Sequence, residues 1–345
     1  MTLSLNDLGW SPFFASQLGD DTPAGLTAYR IAEVHRDRLS ALAPTGAQNL
    51  TTPPDQPTGA FAVGDWVLAN DEHRIERLLD RHTLLTRKAA GHDARVQLIA
   101  ANVETLFITT SCNDDFNPAR IERYLALAQE AGCFPVLVLT KPDLTDDAAD
   151  FERRALAVNA QLPVLIINAK SPDDLERMAD WCKPGQTAAL IGSSGVGKST
   201  ILNGLTGENI ATQGIREDDA KGRHTTTFRA LRRMHNGGWL IDMPGMREVQ
   251  LVDAAEGIET TFADITELAQ ACRFNDCSHN TEPGCAVQAA LADGTLDAAR
   301  LARWDKLRRE DVHNSESLAE ARSRDKGFGK MIRQMKKSDK GRKGY

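Results

Sequence analysis

The sequence predicts an α/β nucleotide-binding domain of the P-loop type, preceded by a small β-barrel and followed by a mainly α-helical, metal-binding segment. Three observations carry that expectation. Gly192-Ser193-Ser194-Gly195-Val196-Gly197-Lys198-Ser199-Thr200 fits G-x-x-x-x-G-K-[ST], between the apolar run Thr187–Ile191 and a helix start at Ile201. Short alternating segments between residues 29 and 79, separated by turn residues, are the pattern of a small barrel. Cys272-x4-Cys277-x-His279-x5-Cys285 offers three thiolates and an imidazole within a short span.

Residues 1–29 show little periodicity, and Trp10, Phe13 and Phe14 are candidates to dock this arm on the body. Strands are expected at 29–34, 38–42, 61–68 and 74–79, with a Pro-rich loop at 51–57, giving a barrel of the oligonucleotide-binding (OB) type over 30–99. Arg81, Arg87 and Lys88 at its exit are compatible with phosphate contact, although a purely structural barrel fits the same residues. From residue 100 the pattern alternates. Strands are expected at 103–109, 135–139 and 164–167, helices at 118–131, 146–159 and 173–181, then the strand into the glycine loop. Such alternation means a mostly parallel sheet covered on both faces, with ligands at the carboxyl ends of its strands. This α/β domain is expected over 100–255 and the metal-binding domain with its tail over 256–345.

The chain of 345 residues is 41% apolar and contains no apolar run near the ~18 residues of a membrane span. Its start lacks the basic and apolar regions of a secretory signal. A cytoplasmic, monomeric protein without a membrane partner is expected. The net charge of −7 is uneven: residues 326–345 hold eight Lys/Arg against one acidic residue. A basic tail on an acidic body suggests an anionic partner such as RNA, or simply a solvated tail. Cys112, Cys133 and Cys182 read as buried thiols. The clustered cysteines with His279 form a closed tetrahedral set suited to structural Zn²⁺, with an unmetallated thiol cluster as the alternative.

The glycine loop gives the chemistry. Its glycines allow backbone N–H groups to turn around a di- or triphosphate, Lys198 reaches β/γ oxygens, and Ser199 suits Mg²⁺. Asp242-Met243-Pro244-Gly245 follows the strand at 239–241, with Asp242 suited to hold Mg²⁺ through water and Gly245 N–H to face a γ-phosphate. Thr140-Lys141-Pro142-Asp143 closes an earlier strand. Its Asp143 can accept two N–H bonds from a guanine edge, whereas adenine would leave the carboxylate unpaired. Lys141 would pack across loop and base, and Asn168-Ala169-Lys170 would supply a backbone N–H to the base oxygen.

These segments resemble the guanine, phosphate and switch motifs of Ras-like translation-factor GTPases in rotated order, with base motifs at 140 and 168 ahead of the phosphate loop at 192. With the barrel and the Cys/His cluster, the chain is similar to the circularly permuted, ribosome small-subunit-dependent GTPase family (RsgA or YjeQ) over residues 30–310. The resemblance implies hydrolysis of GTP to GDP coupled to binding the small ribosomal subunit and its rRNA during late maturation. It also implies Mg²⁺ with the nucleotide and one structural zinc. Thr140 stands where the family pattern has Asn, and Asn168 where it has Ser. Within Lys221–Thr227, which resembles the first switch, Thr225 or Thr226 would close on Mg²⁺ and the γ-phosphate. Met246 occupies the place of the water-orienting Gln, which makes His224 the candidate catalytic group. A non-catalytic RNA-binding assembly factor that uses GTP as a ligand is the alternative function, and an ATPase using the same cradle is a third.

Overall fold

The structure, a computed structural model, describes residues 3–19, 22–23, 25–89, 95–208, 229–243 and 249–316. The basic tail lies outside them. After a short helix α1 (Pro12–Ala15), strands β1 (Thr27–Val34), β2 (Leu39–Ala43), β3 (Gly46–Leu50), β4 (Trp66–Ala69) and β5 (Ile75–Leu78) form a sheet of order β3-β2-β1-β4-β5. Its neighbours are antiparallel. Its edges meet where Thr51 bridges Arg74 in parallel, with Thr51 N–H donating to His73 O and Ile75 N–H to Thr51 O, both at 3.0 Å. That junction closes a five-stranded OB-type barrel and covers both open strand edges. Ile31, Leu39, Leu50, Phe61, Val67 and Ile75 fill it.

Alternation missed β3, because Gly46-Ala47-Gln48-Asn49-Leu50 buries only its last residue. The strand expected over 61–68 starts at Trp66 instead. Gly64 takes φ +95° and the Asp65 carboxylate accepts from Ala62 N–H at 2.7 Å, so this apolar run begins as a turn. Arg81 is occupied by the fully buried Asp65, at 2.7 Å, which removes it as a free phosphate contact. An antiparallel ribbon, β6 (Leu84–Lys88) with β7 (Val96–Ala101), leads out of the barrel.

The second sheet is built from β8 (Thr105–Ser111), β9 (Phe134–Thr140), β10 (Val164–Ile167), β11 (Thr187–Gly192), β12 (Leu231–Arg233) and β13 (Trp239–Asp242), in the order β10-β9-β8-β11-β13-β12. Only β12, at the edge, runs antiparallel. Between the strands lie α2 (Pro118–Glu130), α3 (Ala148–Val158), α4 (Pro172–Ala179) and α5 (Lys198–Thr206). The caps explain their starts. Asn117 accepts from Arg120 N–H ahead of Pro118, and Ser171 from Asp174 N–H ahead of Pro172, so a side chain satisfies an unpaired first-turn amide in each helix. Strand order reverses between β8 and β11, which sets the crevice for a ligand at their carboxyl ends.

The N-terminal arm packs at the amino-terminal ends of β11 and β13. Leu8 and Phe14 are buried, Trp10 meets Trp66 edge-on at 4.9 Å, and Trp239 Nε1 donates to Asp7 O at 2.7 Å. Arg30, wholly buried, donates to Leu8 O at 2.6 Å and to Thr187 Oγ1 at 2.5 Å, joining arm, barrel and β11. Its desolvation lowers the guanidinium pKa to about 10.

Helices α6 (Ala255–Thr261), α7 (Ala263–Gln270), α8 (Ala286–Ala292) and α9 (298–316) complete the fold. Glu122 on α2 is completely buried. Arg303 Nε reaches its carboxylate at 2.7 Å and Arg300 Nη1 at 3.1 Å, while Arg300 also holds Asp264 at 2.7 Å. Arg300 and Arg303, on either side of Trp304, therefore fasten α9 to the α/β domain. Removing one partner of such a buried set leaves uncompensated charge. Glu122→Ala is expected to lower stability by about 3–5 kcal/mol, read as a lower urea midpoint; an unchanged midpoint would mean that both arginines find other partners.

Candidate nucleotide site and metal centre

The loop leaves β11 through Gly192, which pairs with Thr109 of β8. A Cβ on Gly192 would sit 2.2 Å from Thr109 O, so only glycine lets the strands meet here. Ser193, Ser194, Gly195 and Val196 turn the chain, and Gly197 at φ +100° enters α5, whose first residues are Lys198, Ser199 and Thr200. Helix-start amides with no intrahelical partner suit an anion. Lys198 Nζ lies across the loop, 2.8 Å from Gly192 O and 2.6 Å from Ser193 O.

The segments distant in sequence converge on this loop. A Cβ on Gly197 would lie 3.9 Å from both Thr140 Cβ and Ala169 Cβ. Thr140 is fully buried, and its hydroxyl lies 2.6 Å from Val196 O and 3.1 Å from Thr110 O. A hydroxyl has one proton, and the shorter contact ties the end of β9 to the phosphate loop. Thr140 thus serves the loop. Lys141 follows at φ +58°, and Asp143 is exposed in the turn Pro142–Leu144. Asn168 Oδ1 accepts from Lys170 N–H at 3.0 Å, shaping the turn that carries Ala169. Both departures from the expected motif have backbone-shaping contacts.

Asp242 pairs in register with Leu190, beside the strand that feeds the loop. Burial raises its pKa, which Lys198 and Arg232 partly offset. Its Oδ1 is buried without a hydrogen-bond partner among the described residues. A desolvated carboxylate oxygen lacking a donor fits a cation or its bound water. His224, Thr225, Thr226, Gly245 and Met246 lie outside the described residues.

An RsgA GTPase family model matches residues 78–252. The small ribosomal subunit biogenesis GTPase RsgA of Mesorhizobium japonicum is 55% identical over 317 residues, 90% of this chain and 91% of that protein. The chain belongs to the RsgA GTPase family. A second relative, RsgA 2 of Vibrio vulnificus, is 48% identical and covers 98% of the chain and 96% of its own length. Among solved structures, YjeQ from Thermotoga maritima superposes with a TM-score of 0.60 at 24% identity, covering 83% of this chain and 99% of that one. YloQ, described as a circularly permuted GTPase, gives 0.57 at 22%, covering 89% and 99%. These two likenesses bear on the fold alone.

In this RsgA family member, the four atoms offered by Cys272, Cys277, His279 and Cys285 lie within 4.8 Å of one another. Cys272 Sγ is 3.8 Å from Cys285 Sγ and 3.5 Å from His279 Nδ1; Cys285 Sγ is 3.6 Å from the same nitrogen. Tetrahedral Zn–S and Zn–N bonds of about 2.3 and 2.0 Å give S···S and S···N edges of about 3.8 and 3.5 Å. A disulfide would need sulfurs at about 2.05 Å. The set therefore fits one zinc, with Nδ1 as the imidazole ligand atom.

Sequence reading did not find Asp115, whose carboxylate lies 2.7 Å from Ser193 Oγ in the phosphate loop. Within Asn113-Asp114-Asp115 no spacing distinguishes it; only the loop fold brings it there. Thr140→Val tests the other fastening. It leaves Val196 O buried without that donor, at about 1–3 kcal/mol, and should weaken GTP and GDP binding alike in titrations with fluorescent analogues. Unchanged affinities would sink the contact's role.

Proposed function

We propose that this GTPase acts on the small ribosomal subunit in its late maturation, in the cytoplasm, as a monomer that binds GTP and GDP and contacts rRNA. The supporting observation is the convergence of Thr140, Ala169 and Asp242 on the loop Gly192–Thr200, together with relatives over nine-tenths of the chain that are named small ribosomal subunit biogenesis GTPases. Among the described residues no helix is long and apolar enough to cross a membrane. The division into an arm (1–29), barrel (30–99), GTPase domain (100–255) and zinc domain (256–345) is part of the same reading.

In this reading the amides of residues 193–200 hold the α- and β-phosphates, and Lys198 turns from its loop carbonyls to the β/γ oxygens. Asp143 pairs with the guanine edge, Lys141 packs across the base, and Ala169 N–H meets the base oxygen. Ser199 and Asp242 would hold Mg²⁺, which neutralises phosphate charge when bound. Gly245 N–H faces the γ-phosphate, Thr225 or Thr226 closes over it, and His224 orients the attacking water. Water then breaks the β–γ anhydride bond, leaving GDP and phosphate.

Isolated GTPases of this type are slow, so the informative measurement is turnover with and without purified small subunits. Subunits should raise kcat, and His224→Ala should remove most of that rise while leaving nucleotide affinity intact. Binding to subunits without any GTP-dependent phosphate release would instead favour the non-catalytic assembly factor. ATP competing equally with GTP would favour the ATPase.

The Cys/His set is assigned one structural zinc. Protein purified without chelator should carry about one zinc per chain, and stripping it should melt the C-terminal helices before the α/β domain. Substantially less zinc in well-folded protein would favour a free thiol cluster.

A further inference from the structure

Opposite the Thr140 fastening, the phosphate loop is held by a charged group that neither motif contains. Ser193 is buried, and its Oγ lies 2.8 and 2.7 Å from the two carboxylate oxygens of Asp115, in the loop between β8 and α2. The hydroxyl proton can be donated to either oxygen, and an ionised acceptor makes this bond stronger than a neutral one. Thr110 Oγ1, at 3.3 Å, also faces the Asp115 carboxylate. Arg120, in the first turn of α2, reaches it at 2.9 Å and also donates to Asp115 O. Neither side chain of that pair is fully exposed, at 26% for Asp115 and 24% for Arg120.

We infer that Asp115 is a positioning residue for the phosphate loop, neutralised by Arg120 so that its carboxylate can hold Ser193 without repelling the polyphosphate. This rests on the reading that Gly192–Thr200 holds the phosphates of GTP. Lys198 braces Gly192 O and Ser193 O from inside the loop. That brace is lost when the ammonium turns to the phosphates, whereas the Asp115 bond reaches Ser193 by its side chain and persists. The loop is then pre-shaped, and binding does not have to order it. A bare carboxylate bonded to a residue of the cradle would oppose an anion held there, since charges act on one another over a Debye length of about 8 Å. The arginine removes that penalty, and GTP, with one more negative charge than GDP, depends on it more.

The test measures dissociation constants of fluorescent GTP and GDP analogues for the full chain, with single-turnover hydrolysis at saturation. Asp115→Ala and Ser193→Ala should each weaken binding about tenfold, and the double variant no more than Asp115→Ala alone, since the two remove one bond. The single-turnover rate of Asp115→Ala at saturation should stay within about twofold of the parent. Arg120→Gln should weaken GTP more than GDP, and adding Asp115→Asn, which is isosteric and keeps an acceptor for Ser193, should restore much of the loss. A structural prop would not show that sign. Additive losses for Asp115→Ala and Ser193→Ala, or an Arg120→Gln effect that Asp115→Asn fails to relieve, would overturn the inference while parent binding stays normal. A parent chain that binds neither analogue would overturn the phosphate-loop reading, and this inference with it.

Discussion

The fold depends on the pairing of β8 with β11, strands that start about eighty residues apart. Ala188–Gly192 runs beside Thr105–Thr109, and at its end Gly192 approaches the Thr109 carbonyl more closely than any side chain permits. On one side of the seam the chain has laid down β8, β9 and β10 with Thr140 and the turn at Asn168 at their ends; on the other it adds β11, β12 and β13 with the glycine loop and Asp242. Either half alone lacks part of the site. The permuted order leaves that geometry intact because hydrogen bonding between strands, and not chain continuity, decides which ends lie together.

The loop, which leaves β11 in one half, is consequently held at two points by the other. Thr140 supports Val196 from the end of β9, and Asp115 supports Ser193 from the end of β8. A five-residue turn containing two glycines has much conformational freedom, and each anchored residue removes about 1–2 kcal/mol of backbone entropy that a ligand would otherwise have to offset. The motif substitution at position 140 makes sense in these terms. A short hydroxyl completes the carbonyl contact inside a fully buried position, where a longer side chain would need space beside Thr110.

Much of this was legible in the sequence. The Walker pattern, the strand ends at Thr140 and Asp242 and the Cys/His spacing each rest on local chain geometry, and the structure has them in the expected elements. The strands of the α/β domain were clear because buried parallel strands are continuous apolar runs. The barrel was less clear. Gly46–Leu50 has almost no apolar face, and the run through Phe61–Val63 turns before it pairs. Least legible were the charges. Arg81, Arg300 and Arg303 look solvent-facing in a one-dimensional reading, yet each meets a carboxylate with no exposed surface, Asp65 for the first and Glu122 for the other two. Partners 16 to 181 residues away cannot be read from spacing, so the tendency is to assign every cation to an outside anion.

One turn of α2 connects these parts. Arg120 meets the phosphate loop through Asp115, Glu122 receives Arg300 and Arg303, and Arg123 pairs with Glu310 while donating to Val249 O at 2.9 Å. Val249 begins the described chain after Asp242-Met243-Pro244-Gly245, and the residues that follow are taken up by α9. Asn314 Nδ2 donates to Leu251 O at 2.7 Å, Asp311 accepts from Ala254 N–H at 3.0 Å, and Ser315 accepts from Asp253 N–H at 3.0 Å. The chain from Val249 onward is therefore tied closely to α9. A shift of Val249 must either carry α9 with it or break several partly buried polar contacts, each worth about 0.5–1.5 kcal/mol net, with the charged ones higher. Carrying α9 is resisted in turn by Glu122, whose separation from two arginines would cost more than any of those bonds. The glycine loop, the chain from Val249 and α9 are thus fastened to one turn of α2, and movement at any of them is opposed or shared by the other two.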